Sequence, residues 1–372
     1  MKRALFISTI IGFLASFEMS DMELLESKGF EIHYACNGSV FGNEEKKNNL
    51  LKRFPHFHNV PFSRNPFSFR NLKAYKEIKR IIAEGHFDVV HCHTPVGGIL
   101  GRRAAKKCGV EKIIYSAHGF HFYHGAPLLN WLLFYPIEKK YSRITDTLIT
   151  INHDDYDIAS KKFHAKHTFY LHGVGINLEQ FKKNDVDKES VRETKNLPTN
   201  KFIFISVGEL TEDKNHILML KAMKKLQNTD ILYIICGKGA LEKSYIKYIR
   251  KNKLEKNVKL LGYRKDVSEL LSASDCFVFP SRMEGLSVAL MEAIASKIPV
   301  ICSKCRGNTD LITESELLFD NCSVDSLVSK INYIMNGGNT FVDENYHNLL
   351  AFDKKKVQNE MSNIYDNVLN RF

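Results

Sequence analysis

Short apolar runs recur along this chain, each followed by a stretch that reads as a helix. In the first half the runs cover residues 4–10, 30–35, 88–92, 112–116 and 146–151; in the second they cover 202–207, 231–236, 258–261, 277–280 and 299–302. Strands that are apolar at nearly every position are buried on both faces, the condition of a parallel sheet with helices on each side. The alternation of such strands with helices predicts an α/β protein. Between the halves lies a charged segment with few apolar residues, 182–200, which reads as a linker. A chain of 372 residues is long enough for two domains with a core each.

The clearest chemistry lies between Phe277 and Cys302, in FVFPSRMEGLSVALMEAIASKIPVIC. This stretch predicts a buried strand ending at Pro280, a loop, a helix over residues 285–296 and a second strand. Glu284 then stands at the helix mouth and Glu292 about two turns on, roughly 10 Å deeper, too far apart to share a proton. Carboxylates so spaced suit different parts of one extended ligand. Glu292 falls among Ala289, Leu290, Ala293 and Ile294, where an unpaired charge is costly. With the helix opening at Gly285, the N–H groups of Gly285, Leu286 and Ser287 are its unpaired first-turn donors, a seat for phosphate.

Composition narrows the partners. The net charge is +11, and Lys plus Arg exceed Asp plus Glu by seven in residues 1–180 and by four in the remainder. The excess forms no polybasic tail, so an acidic ligand fits better than nucleic acid. Most of the eight cysteines sit inside apolar strands, and the single C-x-x-C, Cys302 and Cys305, lacks a second pair nearby. Reduced cytosolic thiols are the simpler reading, and no metal is expected there. His91 and His93 are read as pointing to opposite sides of their strand, again against a metal. Residues 4–14 imitate a signal peptide but are too short and lack a cleavage site, so a first buried strand is expected. No run reaches the roughly 20 apolar residues of a membrane span.

Two stretches leave alternatives open. Phe62, Phe67 and Phe69 alternate with Arg64 and Arg70 in a proline-containing loop, which either caps a core or meets lipid headgroups. Residues 127–135 are apolar, hold the only tryptophan, Trp131, and precede Lys139, Lys140 and Arg143. They form either a core helix or one lying in a membrane interface.

The Glu284–Glu292 block, with PSRMEG before it and SKIPVICSKCRGN after, resembles the E-x7-E signature of the retaining family-4 glycosyltransferases. The resemblance extends over nearly the whole chain and is weakest in residues 30–85. It implies the GT-B fold, two Rossmann-like domains whose parallel sheets face across a cleft: residues 1–174, residues 175–352, and a last helix, 353–372, returning to the first domain. It implies that Glu284 and His118 lie by the donor sugar, that Glu292 holds the ribose, and that Lys214 clamps the diphosphate. It further implies donor contacts at Gly12, Gly208, Gly237, Tyr263 and Arg264. Where the family has an arginine this chain has Glu209, so either Glu209 turns away from the diphosphate or Arg282 or Arg306 supplies the missing charge.

The activity so implied is transfer of a sugar, of N-acetylhexosamine type, from a UDP-sugar, with retention and without a cofactor or metal. No D-x-D stands in a strand-end loop. HTPVGG, SAHGFHFYHG and RGNTDLI resemble capsule and exopolysaccharide enzymes, which implies an undecaprenyl-diphosphate saccharide as acceptor and a protein on the inner face of the cytoplasmic membrane. The alternative is a GT-B sugar-nucleotide epimerase, or a transferase with a soluble acceptor. A nicotinamide dehydrogenase is disfavoured, because no G-x-G-x-x-G follows the first strand.

Overall fold

The computed structural model describes residues 1–39, 44–181 and 187–369. The chain forms two compact units, Met1–Gly175 with Lys354–Phe372, and Ile176–Asp353. Each is built on one parallel sheet.

In the first unit the strands are β1 (Lys2–Ile10), β2 (Phe30–Asn37), β3 (His56–Asn59), β4 (Val89–His93), β5 (Lys112–Ala117), β6 (Thr147–Thr150) and β7 (His167–Tyr170). Their order is β3-β2-β1-β4-β5-β6-β7. The alternation of side chains along β1 sends Leu5 and Ile7 to one face and Ala4 and Phe6 to the other. Leu5 and Ile7 join Val90, Cys92, Ala104 and Ala105 in one core. Ala4 and Phe6 join Met22 and Leu25 with Met361 and Tyr365 of the C-terminal helix in a second core. Burial on both faces is why β1 reads as an unbroken apolar run, and the segment that imitates a leader supplies an interior strand of this sheet, between β2 and β4.

The second unit contains β8 (Phe202–Val207), β9 (Ile231–Cys236), β10 (Val258–Gly262), β11 (Cys276–Phe279), β12 (Val300–Ser303) and β13 (Leu318–Phe319), ordered β10-β9-β8-β11-β12-β13. The expected linker is not one. Residues 182–186 lie outside the described residues, but Lys188–Thr194 is a helix of this unit. Its Arg192 is buried, and the guanidinium donates to Asp275 Oδ2 at 2.6 Å and to the Ala273 carbonyl at 2.8 Å. A charged stretch can thus be a docked helix when its arginine finds a carboxylate and a helix-end carbonyl.

In both sheets the order turns back at one place, between β1 and β4 and between β8 and β11. The loops leaving adjacent strands diverge there, and parallel α/β sheets bind ligands at the carboxyl ends beside such a reversal.

Candidate active site

The reversal in the second unit carries the predicted charges. Lys214 follows β8 and Glu284 follows β11, and Lys214 Nζ lies 2.6 Å from Glu284 Oε1. The ammonium also sits 5.1 Å from the centre of the Phe279 ring. Asn215, in a left-handed conformation, donates to the carbonyls of Pro280 and Asn321, both at 3.0 Å, and so ties the loop after β8 to the end of β11. The Glu284 loop is fixed from the other side by Arg306, whose Nε donates to the Glu284 carbonyl at 2.9 Å. Arg306 is 3% exposed. Gly307 lets the chain pass, since a Cβ there would stand 2.6 Å from the Gly285 carbonyl oxygen.

A second set of contacts joins the loops after β8, β9 and β10. Gly208 N–H donates to the Cys236 carbonyl at 2.9 Å and Gly237 N–H to the Gly262 carbonyl at 2.8 Å. A side chain at Gly237 would begin 1.9 Å from the Gly208 carbonyl oxygen, so only glycine permits this approach. Beyond it Tyr263 is 61% exposed. Arg264 forms a bidentate pair with Asp266 at 2.8 and 2.6 Å, which holds that carboxyl well below the usual carboxylate range. Glu209 is exposed, as is Arg282, whose N–H donates to the Asp213 carbonyl at 2.7 Å.

One expectation is corrected here. The helix after β11 spans Val288–Ala295, so it opens three residues later than the sequence suggested. Ser287 is its N-cap, with the hydroxyl accepting from Leu290 N–H at 3.2 Å. Gly285 and Leu286 therefore belong to the loop, and their N–H groups are not the first-turn donors. Glu292 lies in the second turn, half-buried between the buried Met291 and Ala293.

The first unit holds two predicted residues, Gly12 and His118. No loop precedes Gly12: β1 passes directly into a helical turn, Ile11–Phe13, and then a π-helical turn, Leu14–Glu18. His118 leaves the end of β5, its ring edge-on to Phe13. At the reversal of this sheet it meets Glu18, which the sequence reading passed over, and His93, which that reading turned away from His91. His118 Nε2 is 3.2 Å from Glu18 Oε1, and the same oxygen is 3.4 Å from His93 Nδ1. His91 and His93 do not point apart, because residues two apart on a strand share a face; their ring centres are 4.2 Å apart. That rule, applied to the sequence, would have found the pair. Burial drives His91 down to about 3 and His93 well below the ordinary imidazole range, so both rings are neutral. Asp21 is pushed well up by burial and then by the charge of Glu18.

Backbone strain marks the same place. Thr94, directly after His93, has φ 61° and ψ 153°, a region that only glycine occupies at low cost. Its hydroxyl holds it there, accepting from Thr9 N–H at 3.0 Å and bonding to the Thr9 hydroxyl at 2.7 Å.

Among the described residues two histidine–carboxylate groups bring ligand-type atoms within 4.8 Å of one another: Glu18, His93 and His118, and Glu31, His33 and His56. The D-x-D nearest a strand end, Asp155-Tyr156-Asp157, lies within the helix His153–Lys162. Its Asp155 accepts from Phe120 N–H at 3.0 Å and Asp157 pairs with Lys161 at 2.9 Å.

These geometries can be set beside known proteins. Residues 187–349 match the family described as Glycosyl transferases group 1, and residues 13–152 match Glycosyl transferase 4-like. The chain is 31% identical over 376 residues, 98% of its length and 96% of the other's, to EpsD of Bacillus subtilis (strain 168), described as a glycosyltransferase. It is 28% identical over 326 residues, 84% of this chain and 82% of the relative, to the Escherichia coli UDP-Gal:α-D-GlcNAc-diphosphoundecaprenol α-1,3-galactosyltransferase. In fold it is similar to Anabaena HepE, solved with UDP and glucose, with a TM-score of 0.78 at 16% identity over 99% of this chain and 100% of that one. Two Rossmann-like sheets of GT-B type, with Lys214 and Glu284 paired where the second one reverses, thus accompany a match along almost the entire chain, which belongs to the group 1, family-4 glycosyltransferases.

Proposed function

We propose that this glycosyltransferase moves a sugar from a UDP-sugar to a lipid-linked, undecaprenyl-diphosphate saccharide, with retention and without a metal, in exopolysaccharide or capsule assembly. The observation that carries the reading is the Lys214–Glu284 pair at the reversal of the second sheet, 2.6 Å long and largely shielded from water. A diphosphate entering there offers Lys214 a stronger partner and frees Glu284 for a sugar hydroxyl. Glu292 is proposed for the ribose and the glycines 208 and 237 for close backbone approach to the nucleotide. In the first unit, His118 is proposed to touch a hydroxyl of the donor sugar.

Retention follows from displacement on one face. The bond from the anomeric carbon to the diphosphate breaks, the bond to the acceptor oxygen forms on the same side, and the acceptor proton passes to the departing phosphate. Lys214 stabilises the charge that grows on that phosphate. An N-acetylhexosamine is the expected sugar; the relative in Escherichia coli is named for galactose.

The acceptor reading has its own support in the helix Leu128–Ser142. Leu128, Leu129, Leu132, Leu133 and Ile137 are exposed on it, followed by Lys139 and Lys140. An apolar face with a basic flank suits an anionic lipid surface, so peripheral association with the cytoplasmic membrane is proposed. Among the described residues no helix is long and apolar enough to cross a membrane.

The test is transfer from a panel of UDP-sugars to an undecaprenyl-diphosphate acceptor, followed by mass detection of the lipid product. Glu284→Ala should lower turnover about 100- to 1000-fold while the protein stays folded. Normal turnover in that variant removes the proposed role of Glu284, and product formed without acceptor would point to an epimerase.

A further inference from the structure

The cluster in the first unit contains a carboxylate that the proposed reaction does not use. Glu18 closes the π-helical turn Leu14–Glu18, an irregularity that is rare in proteins and recurs at functional sites. It is 2% exposed, and its Oε1 has no aligned hydrogen bond from any described residue. The ion-pair contacts of Glu18 among the described residues are the two imidazoles, His118 at 3.2 Å and His93 at 3.4 Å. A buried carboxylate without lysine or arginine is costly unless a neighbouring group takes a proton to meet it.

The remaining neighbours bring no positive charge. Asp21 is an acid raised by burial and by Glu18 itself. Tyr365, on the C-terminal helix, is raised by burial and then by Asp21 and Glu18, and its hydroxyl is spent on His91 Nδ1 at 3.0 Å. His91 also engages Ser116 Oγ at 2.8 Å, and His93 is wholly buried with its ring stacked on Phe6. His118 is the one imidazole of the three that reaches solvent, and it lines a cavity together with Glu18, Ser20, Asp21 and Ser116.

We propose that Glu18 is the positioning residue of His118: its carboxylate holds Nε2, fixes the ring, and leaves Nδ1 to meet the ligand. The proposal rests on the reading that His118 touches the donor sugar. With Nε2–H donated to Glu18, Nδ1 is a lone pair and accepts from a sugar hydroxyl; with the ring protonated, Nδ1–H donates and Glu18 neutralises the cation. Either way the partner of one ring nitrogen decides what the other can do. His93 stacks behind as a neutral wall that keeps water from the carboxylate.

The test uses the full chain labelled at histidine, with the His118 resonance assigned by loss in His118→Asn. In Glu18→Gln, which keeps the shape and removes the charge, the His118 Nε2–H proton should exchange with water about tenfold faster or more, because the carboxylate no longer holds it. Turnover should fall about 10- to 100-fold with the KM for the UDP-sugar little changed. Glu18→Asp, charged but one methylene shorter, should give an intermediate exchange rate and partly rescue turnover, which serves if the glutamine variant does not fold.

A His118 Nε2–H exchange rate in either folded variant equal to that of the unaltered protein overturns the proposal. So does stoichiometric zinc in the purified protein that is lost in His93→Ala, since a metal would then occupy these nitrogens. Full activity in His118→Asn would instead overturn the donor-contact reading, while the exchange rate would still report whether Glu18 holds the ring.

Discussion

At the scale of single residues, the pair formed by Lys214 and Glu284 binds two charges to each other. Both side chains are mostly shielded, at 26% and 10% exposure, so each charge depends on the other. Removing one partner of a shielded pair strands the other, which costs more than removing both. Lys214→Met should therefore lower the melting temperature more than the double variant Lys214→Met/Glu284→Gln. A thermal-unfolding cycle should return a coupling of about 1–3 kcal/mol, and strictly additive losses would contradict it. Glu284 was legible because it follows an apolar run, where a parallel sheet leaves its loops, whereas Lys214 was singled out only by the family resemblance. Arg306 was legible only as a nearby cation; its use in holding the Glu284 carbonyl depends on a turn that brings Gly307 against Gly285. Glu18 was not legible, because a π turn has no sequence signature that separates it from an ordinary helical start.

At the scale of elements, the helix Leu128–Ser142 shows how one apolar run can serve two surfaces. The sequence offered a core helix or an interfacial one, carrying the only tryptophan and a basic flank. The structure divides the run instead. Trp131 packs on Phe122 and Tyr135, with its Nε1 donating to the Tyr123 carbonyl at 3.2 Å, while Leu128, Leu129 and Leu132 are more than 60% exposed. The loop before the helix Arg70–Gly85 divides likewise, with Phe62 buried and Phe67 and Phe69 at least 80% exposed, so it does not cap a core with all three rings. Leu129→Ser/Leu132→Ser should thus weaken binding to anionic liposomes at low salt about 10-fold or more and leave the melting temperature almost unchanged. Trp131→Ala should do the reverse, costing about 3–5 kcal/mol of stability. Unchanged liposome sedimentation in the double serine variant would remove this face as the lipid contact. Periodicity could not settle the division, because residues on both sides of the helix are apolar.

At the scale of the whole molecule, the two units differ in how the chain builds them, and that difference can be measured. The second unit is one continuous segment whose ends meet, with Ile176 N–H donating to the Phe352 carbonyl at 2.9 Å. Its core draws only on residues between those ends. The first unit is not continuous: the helix Lys354–Leu369 contributes Val357, Met361, Ile364, Tyr365 and Val368, all buried. Tyr365 also closes the hydrogen bond to His91 on β4. Burying one large apolar side chain is worth about 1.5–3 kcal/mol, so losing five approaches or exceeds the 5–15 kcal/mol that holds a typical domain together. The strand–helix rhythm of the sequence announces two sheets but says nothing of this debt, because the helix pattern of residues 354–369 is the same whichever sheet receives it. Residues 176–353 expressed alone should unfold in a single cooperative transition. Residues 1–175 alone should keep helical circular dichroism, bind ANS and show no sharp melt, and joining residues 354–372 back through a flexible linker should restore one. A cooperative melt of residues 1–175 alone, at the temperature seen in the full chain, would show that the returning helix is an ornament of the first sheet and not part of its core.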